Sequence, residues 1–356
     1  MHASDDVVDR GTLLGHGHDY GKERVRGGTG VTRLVVLAPN WLGDAVMALP
    51  ALADLQRAHP AAAIHVAART SIAPLYSLVP GIEQVVVLDG KDDAASLRAP
   101  GYDAALLLTN SFKTALLARR AGVPERWGYR ADFRSRLLTR AVMRPVAVHQ
   151  AEYYQHLARA LGFASGPSEP RLELPAALRE TAADLLRRAG WDDSGPLLAI
   201  APGAAYGGAK RWPARSFAEV ARDLLASGVT PVLVGSAADA PAGAEVVAAL
   251  GAGAAVINLI GGTDLRALGG VLAQCRALLT NDSGAMHFAA ALGTSVVALF
   301  GPTNERETSP LGRGRRVVLT HDVWCRPCMQ RECPLTHRCM RGISAAAVYD
   351  ALRSVS

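Results

Sequence analysis

Long apolar runs are missing from this sequence. The richest candidate, HFAAALGTSVVALF, is interrupted by Gly293, Thr294 and Ser295. It falls short of the ~18 uninterrupted apolar residues that a membrane-spanning helix needs. The first thirty residues (MHASDDVVDRGTLLGHGHDYGKERVRGGTG) have no apolar centre of the kind a secretion signal carries. Their glycine, histidine and charge give them no core to join, so residues 1–30 read as a disordered tail, with His16 and His18 solvated. Aromatic residues are only 5% of the chain, so its core must be built from small aliphatic side chains. Cysteine is scarce and odd in number, at five. Without an export signal this argues against a disulfide framework and for a cytoplasmic protein with reduced thiols.

What is present fits a two-domain soluble protein. A length of 356 residues exceeds what one hydrophobic core usually organises. Hydrophobic residues at 49% and charged residues at 20% are ordinary for a globular chain. A formal net charge of +6 favours anionic partners: phosphates, a membrane surface or nucleic acid.

Along the chain, short apolar runs alternate with helical patterns. VTRLVVLAP, AIHVAAR, IEQVVVLD and YDAALLLT read as buried strands, and AVMALPALADLQRAHP and FKTALLARRAG as helices between them. The Ser-, Pro- and Gly-rich stretch SGPSEPRLELP interrupts this rhythm and reads as a linker. PLLAIAPG, TPVLVGS, AVINLIGG, RALLTND and SVVALFGPT then resume it. The fold class is therefore α/β, with two Rossmann-like halves of parallel sheet facing a cleft at the carboxyl ends of their strands. The expected boundaries are 31–168 and 169–342, with a terminal helix over 343–356.

Three segments carry candidate chemistry. In APNWLGDAVMALP, Asp44 follows the first strand at the start of a helix. Aspartate is a favoured helix cap, and it is also a proton acceptor, so position alone leaves both readings open. Gly43 permits a tight turn or close approach to a ligand. In PGAAYGGAKRWPARSF, a glycine-rich loop precedes Lys210, which suits an anion held by backbone N–H groups and an ammonium. The order GxxxxGK[ST] is missing, so this is not a Walker loop. In LLTNDSGAMHF, a strand ends in a turn that opens a helix, directing the amides of Ser283, Gly284 and Ala285 at an anion. His287 would add a hydrogen bond to that anion, or else sit in the core satisfied by the backbone.

PNWLGDAVMALPAL, PGAAYGGAKRWP, NLIGGTDL, NDSGAMHFAAALGTSVVALFGPT and CRPCMQRECPLTHRCM together resemble the bacterial ADP-heptose:lipopolysaccharide heptosyltransferases, family 9 of the glycosyltransferases. The resemblance runs from about residue 33 to the end. It implies a GT-B fold and an inverting sugar transfer that needs no cofactor and no essential metal. It further implies a lipid-linked acceptor on the first domain and an ADP-sugar on the second. By the same resemblance, Asp44 is the general base and Lys210 lies beside the donor phosphates. Asp282, Ser283, Gly284 and His287 surround the diphosphate, and Thr263 lies near the adenine.

From Lys113 to Arg144 the chain also carries Arg119, Arg120, Arg126, Arg130, Arg134, Arg136 and Arg140, against Glu125 and Asp132. Arginine binds carboxylates and phosphates through paired N–H bonds. Lys113, Arg120, Arg130 and Arg144 are therefore candidate contacts to the anionic acceptor. The alternative is a solvated helix face. Basic residues would also draw the protein to the inner leaflet as a peripheral partner, without an anchor.

Cys325, Cys328, Cys333 and Cys339 form C-x2-C-x4-C-x5-C, with His337 inside the span. The first pair has zinc spacing and the rest is tighter than a usual two-knuckle site, so a reduced structural cluster is the expectation and a bound metal the rival. Cys275 stands alone in a helix-like stretch and reads as buried. Two other functions compete with the main reading: a family 9 transferase using a different nucleotide sugar or acceptor, and a nucleic-acid-binding protein using the cysteine cluster and basic stretch. Sparse aromatics and two Rossmann-like halves speak against the second.

Overall fold

The apolar runs of the first half are parallel strands: β1 (Arg33–Leu37), β2 (Ala63–Arg69), β3 (Gln84–Leu88) and β4 (Ala104–Leu107). Two more follow, β5 (Glu125–Tyr129) and β6 (Arg140–Val142). Their connecting helices are α1 (Leu42–Met47), α2 (Leu49–Ala58), α3 (Asp93–Arg98), α4 (Phe112–Arg120) and α5 (Gln150–Ala160). The computed structural model describes residues 31–355, and the reading of residues 1–30 as a tail lies outside the described residues.

The second half repeats the pattern. Its strands are β7 (Leu197–Ala201), β8 (Thr230–Leu233), β9 (Ile257–Asn258), β10 (Cys275–Asn281), β11 (Ser295–Phe300) and β12 (Arg316–Thr320). Its longer helices are α6 (Ala176–Arg188), α7 (Ala214–Ala226), α8 (Ala240–Leu250), α9 (Leu265–Gln274) and α10 (Gly284–Leu292). Two short turns, α11 (Glu305–Thr308) and α12 (Arg338–Arg341), precede α13 (Ala345–Val355). This last helix packs on α7 and β11 as part of the second core.

The two six-stranded sheets have orders β3-β2-β1-β4-β5-β6 and β12-β11-β10-β7-β8-β9. Every pairing is parallel. Counted within its own half, each sheet therefore has the order 3-2-1-4-5-6. That order reverses direction between its first and fourth strands, where a crevice opens at the carboxyl ends. The reversal falls at β1/β4 in one sheet and at β7/β10 in the other. The segments that follow β1, β7 and β10 are those that hold Asp44, Lys210 and Asp282.

Strand β7 is buried along its whole length, as the run LLAIA requires. Helix ends are set by local chemistry. Ser111 accepts the amide of Thr114 at the start of α4, and Asp264 accepts that of Ala267 at 2.7 Å to start α9. Gly293, with φ 88°, closes α10 in the left-handed region that favours glycine.

Three strands, β5, β6 and β12, go beyond the sequence reading. Cys275 is corrected from helix to strand: it is the first residue of β10, where it is buried and its thiol is pushed up to about 12 by loss of water.

Residues 163–175 contain no helix or strand and bridge the halves. Glu173 N–H donates to Leu78 O at 2.8 Å and Leu172 N–H to Ala291 O at 3.1 Å. The halves also meet directly where α1 lies on α10. A Cβ on Gly284 would stand 2.9 Å from Leu42 Cβ and 3.2 Å from the backbone nitrogen of Gly43. One on Gly43 would stand 2.9 Å from His287 Cδ2. Only hydrogen fits at these two positions.

Candidate active site

Helix α1 starts earlier than the cap reading of Asp44 assumes. Trp41 is the N-cap, with no side-chain cap bond, and Asp44 is the third helical residue. The cap reading is therefore corrected: the cap position belongs to Trp41, and Asp44 lies inside the first turn. Instead Asp44 Oδ1 accepts from the hydroxyl of Tyr154 on α5 at 3.3 Å. Burial raises the Asp44 carboxyl above its ordinary value, while the Tyr154 bond and the Lys210 charge pull it back. A half-buried carboxylate with a raised pKa is a candidate for proton transfer.

Lys210 approaches from the other half. Its Nζ lies 2.6 Å from Asp282 Oδ2 and 4.8 Å from the centroid of the Tyr206 ring. The same carboxylate oxygen accepts from Thr303 Oγ1 at 2.7 Å. Asn281 ties the two loops together: its Oδ1 accepts from Trp212 N at 3.0 Å, and its Nδ2 donates to Pro202 O at 2.9 Å. The lysine is therefore held by a buried frame, not on a loose loop.

The glycine-rich loop differs from expectation in one respect. Two of its amides are already taken: Gly208 N–H donates to Glu332 Oε1 at 3.0 Å and Ala209 N–H to Arg331 O at 3.0 Å. Tyr206 reaches the same segment, donating to Met329 O at 3.1 Å. Gly207 is needed because a Cβ there would stand 2.3 Å from Arg331 O. The cysteine-rich stretch thus lies over this loop and takes two of its N–H groups. The four cysteines are free. The Cys339 thiol is raised first by burial, and also by its neighbours Cys325, Cys333 and Cys328. Among the described residues no three His, Cys, Asp or Glu side chains converge as metal ligands would.

At the third segment Ser283 is the N-cap of α10, with its Oγ 3.0 Å from Thr280 Oγ1. Gly284 and Ala285 open the first turn, where amides have no intrahelical acceptor. His287 is buried and its pKa is lowered to about 4, chiefly by burial and then by the charges of His149 and Lys210, with Asp282 opposing. It is a neutral imidazole at pH 7, able to donate one N–H without carrying charge. Gly43, a candidate donor contact, lies against His287 and Gly284 of α10. Thr263 is half-buried after β9, two strands along the same edge from β7.

The basic stretch divides. Lys113 at the start of α4, Arg130 after β5 and Arg144 after β6 are exposed at the carboxyl edge of the first sheet. Arg120 is not with them: it ends α4 at the opposite edge, where its carbonyl accepts from Arg98 at 2.8 Å. Arg134 is fully buried, donating to Tyr129 O at 2.9 Å and to Thr109 O. Arg126 is bound to the carbonyls of Leu137, Val123 and Pro124. Two of the nine cations are therefore structural. Tyr154, Thr303 and Asn281 were not legible as site residues, since each serves through a partner distant in sequence.

Comparison with known proteins identifies the family and the fold. The family described as glycosyltransferase family 9 (heptosyltransferase) matches residues 94–338. Lipopolysaccharide heptosyltransferase 2 of Escherichia coli K12 is 34% identical over 80% of this chain and 87% of its own length. The Salmonella typhimurium protein of the same name is 35% identical over the same shares. The solved structure of E. coli ADP-heptose lps heptosyltransferase II superposes with TM-score 0.80 at 32% identity, covering 91% of this chain and 98% of that one. E. coli heptosyltransferase WaaC with ADP, at 19% identity, shares the fold with TM-score 0.70 over 91% of this chain and 100% of that one.

Proposed function

The chain belongs to glycosyltransferase family 9, and from that premise we propose that it moves a heptose from ADP-heptose to the inner core of lipopolysaccharide. One observation carries the reading. Asp44 of the first half and Lys210 of the second stand at the switch points of two sheets of the same strand order, and the lysine charge reaches the carboxylate. A base on one side and a cation with a helix N-terminus on the other suit a displacement at an anomeric carbon.

The step is a single inverting displacement. An acceptor hydroxyl attacks the anomeric carbon as the bond from that carbon to the ADP phosphate oxygen breaks. Asp44 takes the hydroxyl proton, and ADP leaves with the bonding pair. A positioned carboxylate contributes ~10²–10⁴-fold to such a step. Charge growing on the diphosphate is met by Lys210, the first-turn amides of α10 and the neutral N–H of His287. Asp282 serves chiefly as the anchor of Lys210, since a carboxylate facing a diphosphate would repel it. Tyr154 keeps the Asp44 carboxylate aimed. Thr263 borders the adenine. The first half holds the acceptor through Lys113, Arg130 and Arg144, and the second holds the donor.

The acceptor is lipid-linked, so the enzyme works at the inner leaflet as a peripheral protein. Among the described residues no helix is long and apolar enough to cross a membrane. Support for surface contact comes from the rim of the first sheet. Phe112, Phe133, Met143 and Val146 are 45%, 99%, 66% and 85% exposed there, among Lys113, Arg130, Arg136 and Arg144. Apolar side chains interleaved with cations suit an anionic lipid interface.

The test is incubation with a panel of nucleotide sugars and Kdo-bearing lipid A acceptors, with and without a first heptose, reading product mass. Heptose added only from the ADP-sugar, and only to the acceptor already carrying heptose, is the expected result. Preference for another sugar or acceptor would overturn it.

A further inference from the structure

Lys210 and Arg211 are adjacent in the chain and serve different places. Lys210 turns to Asp282 in the cleft, whereas Arg211 lines a separate pocket of about 350 Å³ between α7 and α8. That size is at the low end of small-molecule sites. Arg215 and Arg341 line it too, with His337 and a single carboxylate, Glu245. Among the described residues none of the three guanidiniums is in an ion pair. The Nε of Arg211 is buried without a hydrogen-bond partner. A buried N–H without an acceptor is costly, and native proteins rarely leave one unmet.

The helix beside it points the same way. Helix α7 runs for 13 residues from Pro213, which offers no side-chain cap. The first-turn residues Ala214 and Arg215 both line the pocket, so its wall includes a positive helix end. Three unpaired guanidiniums, an orphaned donor and an uncapped helix converge on one cavity that holds one acid.

We propose that this pocket is a second anion site, which binds a phosphate group, free or carried by a small molecule, apart from the cleft that takes the sugar donor. Its occupant would join Arg211 of the glycine-rich loop to His337 and Arg341 of the segment lying over that loop. The phosphate would thus fasten the two segments that hold Lys210 in place.

The experiment titrates the full chain in chloride buffer with inorganic phosphate and, separately, with glycerol 3-phosphate, with and without saturating ADP. Heat and melting temperature are both followed. A saturable event that persists with ADP present and raises the melting temperature is expected. Arg215→Gln and Arg341→Gln, both at exposed positions, should each weaken it at least tenfold, and Glu245→Gln should tighten it. Arg188→Gln, an exposed arginine on α6, should leave it unchanged. Tighter binding of the monoester would make the occupant a phosphorylated small molecule, and tighter binding of the inorganic ion would make it free phosphate; either supports the site. Absence of saturable binding, loss of the event once ADP is added, unchanged affinity in the Arg215 and Arg341 variants, or equal loss in Arg188→Gln would each overturn it.

Discussion

The two halves share a strand order and differ in what they place at its switch point. The first sheet presents a carboxylate on a short helix, supported by one tyrosine, and carries exposed cations and apolar side chains along the same edge. The second presents a lysine locked by Asp282, Thr303 and the Asn281 brace, with a neutral histidine and a helix N-terminus alongside. In the proposed reading the exposed edge meets the large amphipathic acceptor, and the braced edge meets the small diphosphate. The same backbone plan therefore supports opposite electrostatic tasks, because the switch point fixes where loops gather and leaves their chemistry free.

The largest effect that would sharpen this contrast is at Asp44. Asp44→Asn should lower turnover by ~10²–10⁴-fold while ADP affinity, measured by calorimetry, stays near wild type. The folded-state pKa of Asp44 lies above its ordinary value, so its ionisation costs stability as pH rises through that raised value. The Asn variant should accordingly melt no lower than wild type at pH 7, and turnover of the wild type should rise with pH through the same region. Near-normal turnover in the variant would remove the base.

Next is Lys210→Ala, which should weaken ADP binding by roughly ten- to a hundredfold, the usual range for a hydrogen bond to a charged group. It also strands Asp282 in a buried setting, so Lys210→Ala with Asp282→Asn should recover melting temperature without recovering affinity. Recovery of both would mean that the pair is structural and that the halves do not divide the work as described.

His287 gives a smaller, pH-dependent effect. Its folded-state value of about 4 lies below the ordinary 6.5, so the stability held by the neutral ring is complete above 6.5 and is lost as pH falls toward 4. The loss approaches about 3 kcal/mol below pH 4. His287→Gln should flatten that part of the stability profile in urea unfolding; an unchanged profile would show that the ring already titrates freely.

Gly284→Ala should cost about 1–3 kcal/mol through overpacking against Leu42 and should impair turnover by parting the halves. A wild-type melting curve and turnover would show that α1 and α10 give way easily.

Much of this was readable from the chain, for physical reasons that differ by element. Buried parallel strands announce themselves as apolar runs, so β1 and β7 were plain. In β5, ERWGY, the apolar signal is masked by Glu125 and Arg126, whose side chains fold back onto Trp127 Nε1 and nearby carbonyls. At three residues, β6 is too short to show a period. Arg134 looked like a surface cation because sequence cannot show the oxygens of Thr109 and Asn110, from an earlier strand end, closing around it with Tyr129 O. The candidate site was legible where one motif supplies both residue and geometry, as at Asp282–His287. It was misread where a distant segment intervenes: residues 331 and 332 take two amides of a loop more than a hundred positions earlier.

The bare contact between Gly43 and Gly284 has one more consequence. Because both positions carry only hydrogen, the separation of the two halves at the mouth of the cleft equals the thickness of two backbones. Side chains of increasing volume at 284, alanine, then serine, then valine, act as shims. Such a series would convert residue size into cleft aperture, and turnover plotted against it would report how narrow the gap must become before sugar transfer begins.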